Sequence, residues 1–194
     1  SVWHPRHLAC LDYLAIIEID RGALTAAGEH LRLGIALATE AAGAGSERAV
    51  GMTLRQADVL RKIGNAGAAK TMLSKALKII PAGSETQLRA KAYLIDTLID
   101  LAAFDEALAV VAEVEPRARQ LWANNPKNLY ALLGKRGDLL QRLGRYNDAE
   151  AAFLAVLEGM RAMVGESDPM VIAFTNNLGN LYETMGLYDQ AEPL

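Results

Sequence analysis

The chain has 194 residues, of which 52% are apolar and only 6% aromatic, and its 20 basic and 23 acidic residues give a net charge of −3. This charge disfavours binding to nucleic acid or to a membrane surface, because no strong positive field attracts a polyanion. The single cysteine, Cys10, excludes an intrachain disulfide and a cysteine-based zinc site. It fits a reducing compartment, so we expect a cytoplasmic protein.

The composition indicates an all-α chain. Ala, Leu and Gly dominate, and the β-branched clusters typical of strands are nearly absent. The longest apolar stretch, around Tyr93 to Phe104, is interrupted by Asp96 and Asp100, so we expect no transmembrane helix. The chain lacks an initiator Met and stops within a predicted helix, so we expect it to be a fragment.

A repeat runs along the whole chain. A small residue, here named the turn residue, ends each predicted first helix, and successive turn residues are 42, 38, 42 and 42 residues apart. The turn residues are Gly22, Gly64, Ala102, Gly144 and Gly186. Five residues after each of them stands an alanine, namely Ala27, Ala69, Ala107, Ala149 and Ala191. This regularity predicts five helical hairpins.

Start signals divide the chain into these hairpins in order. Proline or capping residues open the first helices, at Pro5, Ser46, Ser84 with Gln87, Asn125 with Pro126, and Asp168 with Pro169. Residues able to cap a second helix follow each turn residue by three, at Thr25, Gly67, Asp105, Asn147 and Asp189. The predicted hairpins cover residues 5–45, 46–83, 84–124, 125–167 and 168–194, the last one truncated. The interval of 38 residues between Gly64 and Ala102 is shorter than the others. It predicts a shortened helix or a loop around Pro81 to Ser84.

The small residues have a structural purpose. Glycine adopts the left-handed conformation that ends a helix, and alanine lets paired helices approach closely. One hairpin cannot bury its own apolar face, so consecutive hairpins must stack into a solenoid, here predicted as a single domain. The same packing predicts that Tyr146 and Tyr188 bridge helices rather than contact a ligand.

The C-terminal segments carry a specific resemblance. Leu143-Gly144-Arg145-Tyr146-Asn147-Asp148-Ala149-Glu150 and Met185-Gly186-Leu187-Tyr188-Asp189-Gln190-Ala191-Glu192 resemble tetratricopeptide repeats (TPR). The 42-residue spacing is similar to the long-repeat subtype of kinesin light chain and of bacterial signalling proteins. The resemblance implies a right-handed α-solenoid of antiparallel hairpins. It also implies that the first helices line a concave face. The family often has a large aromatic residue near the start of a first helix, and Trp3 is the one candidate for it in this chain.

Nothing in the sequence predicts an enzyme, a cofactor or a metal. His4 and His7 lie three residues apart at a helix start but lack a third ligand, so we interpret them as exposed side chains. His30 is interpreted as a packing residue, and Cys10 as a buried, inert thiol. Gly43-Ala44-Gly45 joins two helices without the strand and lysine of a phosphate loop, so it is interpreted as a linker.

Polar residues recur at two register positions of the first helices, six and nine residues before the turn residue. If these positions face one concave groove, as the resemblance implies, they form the candidate partner-binding set. The set is Arg55, Asp58, Tyr93, Asp96, Lys135, Asp138, Asn177 and Asn180. The asparagines suit an extended peptide backbone, because an amide donates and accepts hydrogen bonds. A second interpretation is that neighbouring hairpins neutralise one another through salt bridges, each worth only ~0–1 kcal/mol.

Two functions therefore stay open. The leading hypothesis is a protein-interaction scaffold whose concave groove binds a peptide or a helix of a protein partner. The alternative is a ligand-sensing or self-associating regulatory segment of a larger bacterial signalling protein, such as a kinase or a transcriptional regulator. Self-association as a homo-oligomer would use the ends of the solenoid.

Overall fold

The computed structural model describes residues 5–123 and 126–194, and over these residues the chain is helical with no β-strand. The helices are α1 (Pro5–Asp20), α2 (Leu24–Ala42), α3 (Glu47–Lys62), α4 (Ala66–Leu77), α5 (Glu85–Asp100), α6 (Phe104–Leu121), α7 (Lys127–Arg142), α8 (Tyr146–Val164), α9 (Pro169–Thr184) and α10 (Tyr188–Ala191). The all-α prediction is confirmed. Trp3, His4 and Asn125 lie outside the described residues.

The helices form two compact units, divided between Ala102 and Ala103. In unit 1, α1 packs on α2, α2 on α3, and α3 on both α4 and α5. In unit 2, α6 packs on α7, α7 on both α8 and α9, and α9 on α10. Unit 1 therefore contains the hairpins α1–α2 and α3–α4 followed by α5, and unit 2 contains α6 followed by the hairpins α7–α8 and α9–α10. The single solenoid of five hairpins stays a prediction, because the two units are described separately.

The turn residues have the left-handed conformation that the sequence predicts. The backbone angle φ is positive at Gly22, Gly64, Gly144 and Gly186, and also at Ala102, where it is 54°. At Gly144, the turn closes with a hydrogen bond from the Gly144 N–H to the Gln141 carbonyl and another from the Arg145 N–H to the Leu140 carbonyl. This pattern satisfies carbonyls that the ending helix leaves without partners.

The second helices begin two residues earlier than the sequence predicts. Their first residues are Leu24, Ala66, Phe104, Tyr146 and Tyr188, so Thr25, Gly67, Asp105, Asn147 and Asp189 lie within the first helical turn. The reason is that the residue directly after the turn residue already occupies the cap position. Among the first helices, Ser84 and Asp168 cap as predicted, accepting hydrogen bonds from the N–H groups of Gln87 and Met170.

The alanine five residues after the turn residue is buried in α2, α4, α6 and α8. Ala27, Ala69, Ala107 and Ala149 are each 0% exposed, which confirms the predicted register, whereas Ala191 is partly exposed. The shortened helix predicted from the 38-residue interval is also confirmed, because α4 has 12 residues where α2 and α8 have 19. The predicted bridging role of Tyr188 is wrong: its side chain is 69% exposed, because α10 provides one helical turn. Tyr146 is half-buried.

Glycines inside α7 allow aromatic rings to pack against the backbone. Ring atoms of Phe153 in α8 lie 2.5–2.8 Å from where a Cβ of Gly137 would be. Gly179 occupies the same register position in α9, seven residues before its turn residue, but its Cβ would meet only Leu194 at 3.9 Å. The same position thus carries different constraints in two neighbouring hairpins.

We expect Ala102→Gly to raise the free energy of unfolding by about 0.5–1 kcal/mol, because an L side chain in the left-handed conformation is strained. The reference variant Gly144→Ala should lower it by about 1 kcal/mol. Chemical denaturation of both variants measures the difference. Equal effects of the same sign would contradict the strain at Ala102.

We expect Gly137→Ala to lower the free energy of unfolding by about 1–2 kcal/mol, because the new methyl group would overlap the Phe153 ring. Gly179→Ala is the matched control and should be stabilising by up to about 1 kcal/mol, since alanine is the better helix former. Thermal and chemical unfolding of the pair test this contrast.

Candidate functional site

The eight candidate residues lie on first helices that contact each other within each unit. In unit 1, α3 carries Arg55 and Asp58 and contacts α5, which carries Tyr93 and Asp96. In unit 2, α7 carries Lys135 and Asp138 and contacts α9, which carries Asn177 and Asn180. Seven of the eight are half-buried and Asn180 is exposed. Each unit therefore carries its own four candidates on a pair of contacting helices.

In unit 2 these residues form a continuous polar surface, here named the α7–α9 polar cluster. It consists of Lys135, Asp138, Gln141, Asn177, Asn180 and Thr184. The Asn177 amide donates to the Asp138 carboxylate over 3.4 Å. The Gln141 amide donates to the Asn180 side-chain oxygen over 2.9 Å and to the Thr184 hydroxyl over 3.4 Å. Side chains from both helices thus hold one another in place.

The candidate set contains neither Gln141 nor Thr184, which complete this cluster. They lie three and two residues before their turn residues. This is about one helical turn after the position, six residues before the turn residue, that the candidate set used. The opposite charges at these two positions in unit 1 could have indicated the contact. Arg61 and Asp100 occupy the same positions there and form an ion pair at 3.0 Å. A position that pairs neighbouring first helices in both units belongs to the face that these helices share.

The carboxyl group of Asp138 has an unusual environment within the cluster. Burial raises the pKa of Asp138 above its ordinary value, while the charges of Arg142 and Lys135 lower it by less. Arg142 also lies over the Phe104 ring, with 5.4 Å between the guanidinium carbon and the ring centre. Asp138 is therefore a carboxylate whose charge is only partly compensated.

In unit 1 the corresponding face is joined by ion pairs instead of amides. Arg55 of α3 pairs with Asp12 of α1. Asp58 pairs with Arg61 at 2.9 Å and with Lys62 at 3.0 Å. The Arg55–Asp12 pair supports the interpretation that neighbouring hairpins neutralise each other, whereas Asp58 is neutralised by residues of its own helix.

The cysteine and the described histidines that the sequence analysis considered are not part of this face. The predicted burial of Cys10 is wrong, because its side chain is exposed on α1, where no described element covers that face. His7 is exposed. His30 contacts Glu18 of the paired helix over 2.8 Å. In residues 5–123 and 126–194 no cluster of three potential ligands could hold a metal ion, and no described helix is long and apolar enough to cross a membrane.

The side of each unit that carries the second helices has a groove that sequence reasoning missed. In unit 1, α2, α3 and α4 surround a mostly apolar, open cavity of about 650 Å³, lined among others by Leu60, Met72 and Lys75. In unit 2, α6 and α7 line a cavity of about 460 Å³ that contains Glu115 and three arginines. The arginines are paired with acids, since Arg119 lies 2.7 Å from Glu115 and Arg145 lies 2.7 Å from Asp148.

Comparison with known proteins assigns the repeat. Residues 128–194, about a third of the chain, match the family described as tetratricopeptide repeat. No curated protein sequence matches the chain. The match covers α7 to α10 and thus includes the whole α7–α9 polar cluster.

Solved structures extend the TPR fold to the rest of the chain. A structure of the kinesin light chain TPR-like repeats of Podosopora anserina has a TM-score of 0.86 at 15% identity, covering 100% of this chain and 93% of that one. BtubC from P. vanneervenii has a TM-score of 0.82 at 20% identity, covering 94% and 74%. A Rap protein complexed with Competence and Sporulation Factor has a TM-score of 0.78 at 16% identity, covering 100% and 53%. At these identities the likeness shows the TPR-like fold.

We expect Asp138→Asn to raise the thermal midpoint at pH 7. A folded-state pKa above the unfolded value means that ionised Asp138 reduces stability at neutral pH. This reduction shrinks as the pH falls through the folded pKa and is gone below the unfolded value of about 4. The two proteins should therefore differ at pH 7 and converge at about pH 4 and below. A constant difference across this range would contradict the assignment.

Proposed function

We propose that this TPR chain is a non-catalytic protein-interaction scaffold and that the α7–α9 polar cluster binds an extended segment of a protein partner. The observation that carries the proposal is the run of amides across two helices, in which Gln141, Asn177 and Asn180 are held by hydrogen bonds at 2.9 and 3.4 Å. A prearranged row of amides lowers the entropy that a peptide must lose on binding.

The chemistry of the cluster suits a peptide backbone. Each amide side chain has two donor hydrogens and an acceptor oxygen, so one hydrogen bond to a neighbour leaves capacity for a ligand. Asn180 is exposed and therefore accessible. Peptide N–H and C=O groups need partners of both kinds, and amides supply both in one side chain.

The charges of the cluster favour an internal peptide segment over a free C-terminus. Asp138 lies beside the amides and would repel the carboxylate of a free C-terminus. Lys135 is the one cation among the six cluster residues that could attract such a carboxylate. A partner segment with a lysine or arginine near the bound backbone would gain from Asp138. We therefore propose a neutral or basic segment as the ligand.

The unit 1 candidates have a secondary place in this proposal. Arg55 and Asp58 are already in ion pairs, so they would have to exchange these for contacts to a partner. Tyr93 and Asp96 lie on the neighbouring α5 and would extend the same kind of surface. The Rap structure, complexed with Competence and Sporulation Factor, supports the idea that this fold receives a partner. The lone cysteine favours a cytoplasmic setting.

Selection of peptides from a displayed random library against the immobilised chain tests the proposal. We expect selected peptides to lose at least about tenfold in affinity with the double variant Asn177→Ala, Asn180→Ala, which corresponds to about 1.4 kcal/mol. The double variant removes the hydrogen bond from half-buried Asn177 to Asp138, so the free energy of unfolding should fall by about 1 kcal/mol. Thermal unfolding checks that the variant is still folded at the temperature of the binding measurement.

Asn147→Ala is the control, because Asn147 is an exposed asparagine on α8, outside the cluster. Its affinity for the same peptides, measured by titration calorimetry, should equal that of the wild type. Selected peptides that bind the double variant as tightly as the wild type would place the binding site elsewhere.

A further inference from the structure

Unit 1 contains an open apolar groove between its two second helices, here named the α2–α4 groove. Its volume is about 650 Å³. Residues of α3 form the floor, one side of α4 forms a wall, and α2 borders the groove near its C-terminal end. The lining includes Thr39 of α2, Val50, Thr53 and Leu60 of α3, and Met72 and Lys75 of α4.

The groove runs along the whole of α4. Gly67, Thr71, Lys75 and Ile79 all line it, and residues four positions apart lie on one side of a helix. The distance from the first to the last of them is about 18 Å, which is about three helical turns. Ile79, in the turn that follows α4, is 49% exposed at the end of the groove. The cavity is therefore a long trough and not an enclosed pocket.

The matching groove in unit 2 is lined by charged side chains that pair with one another. Arg119 and Arg136 lie 2.7 and 3.5 Å from the carboxylate of Glu115, and Arg145 lies 2.7 Å from Asp148. All five residues line the cavities between α6, α7 and α8. Counted from the turn residues, the same positions in unit 1 carry no charge, and they are Ile35, Thr39, Gln56, Asn65 and Ala68.

A tyrosine also occupies one end of this region in unit 2. The ring of Tyr130, in α7, lies against Gly159 of α8. The corresponding residues of unit 1 are Val50 and Ile79, and both line the open groove. Valine is smaller than tyrosine, and α4 has already ended where α8 continues. Unit 1 thus lacks the charged and aromatic side chains that lie in this region of unit 2.

Positive charge borders the apolar lining. Among the described residues that line the groove, Lys75 is the one that carries a charge, and the exposed Lys78 follows it by three residues. Residues 59–84 include five lysines and arginines and no acidic residue. Glu40, which follows Thr39 on α2, already has a partner within the chain. The groove is therefore complementary to an apolar surface with a negatively charged edge.

We propose that the α2–α4 groove binds an amphipathic helix of a protein partner, whose apolar face is bordered by acidic residues. An open trough of three helical turns matches such a helix, which presents apolar side chains at every third or fourth position. Lys75 and Lys78 would pair with the acidic border. A small apolar ligand is usually enclosed over most of its surface, and a trough does not enclose one. The groove shares no residue with the α7–α9 polar cluster.

Selection from displayed amphipathic peptides tests the proposal. The library holds peptides of about 15 residues, or about four helical turns, with leucines at helical spacing and with glutamate or lysine at each position beside them. We expect the peptides that bind the immobilised chain to carry glutamate at these positions. Enrichment of lysine would overturn the proposal. So would the absence of bound peptides, and binding of dodecanoate in titration calorimetry would then assign the groove to a small apolar carboxylate.

Thr71→Glu and Ser74→Glu form a matched pair of variants, because both residues are exposed on α4 and only Thr71 lines the groove. Thr71→Glu should weaken a selected peptide at least about tenfold, whereas Ser74→Glu should leave its affinity within about twofold of the wild type. Fluorescence anisotropy measures both affinities, and circular dichroism checks that both variants stay helical. Equal affinities of the two variants would place the bound helix outside the groove.

Two further variants separate the charge of the groove from the peptide site of unit 2. Lys75→Glu should bind the selected peptide less tightly than a version with lysine in place of its glutamates, which reverses the preference of the wild type. The double variant Asn177→Ala, Asn180→Ala should bind the selected helix as the wild type does. A helix that loses affinity with the double variant would belong to the α7–α9 polar cluster and would refute the α2–α4 groove as its site.

Discussion

The structure depends on the close approach of two helices immediately after a left-handed turn. The turn residue reverses the chain within three positions, so the second helix starts beside the end of the first. Within the two units, Ala27, Ala69 and Ala149 are completely buried at this contact. A side chain larger than a methyl group there would push the helices apart and disturb every contact further along the pair.

Once this contact fixes the rotation of each helix about its axis, it determines which neighbour the other register positions face. Residues five and twelve positions before the turn residue pack on a neighbouring hairpin, as Met52 packs on Gly34. Residues two to nine positions before it include those that join neighbouring first helices through polar side chains. The function of a position thus follows from the fold, whereas its chemistry follows from the residue that occupies it.

The same polar face has different chemistry in the two units. In unit 1 charged side chains such as Arg55 and Arg61 find opposite charges within the unit. In unit 2 amides take the corresponding places, and hydrogen bonds such as that between Gln141 and Asn180 leave capacity for other groups. A surface whose charges are internally paired contributes little affinity, while prearranged amides are available to a ligand. This difference is why the proposed peptide site lies in unit 2.

The sequence by itself determined the helices, the turns and the buried alanines, because these depend on local spacing and on the sizes of a few residues. It also determined which residues share a face of a first helix, since register is a matter of counting. It predicted Cys10 as buried because that position packs inward in a repeat, although burial needs a neighbouring hairpin. Only the tertiary structure decided which polar residues neutralise one another: Arg55 reaches Asp12 and Gln141 reaches Asn180 across distances of 43 and 39 residues along the chain. Such pairs depend on which side chains meet in space, and a periodic pattern of similar residues does not distinguish a paired side chain from an available one.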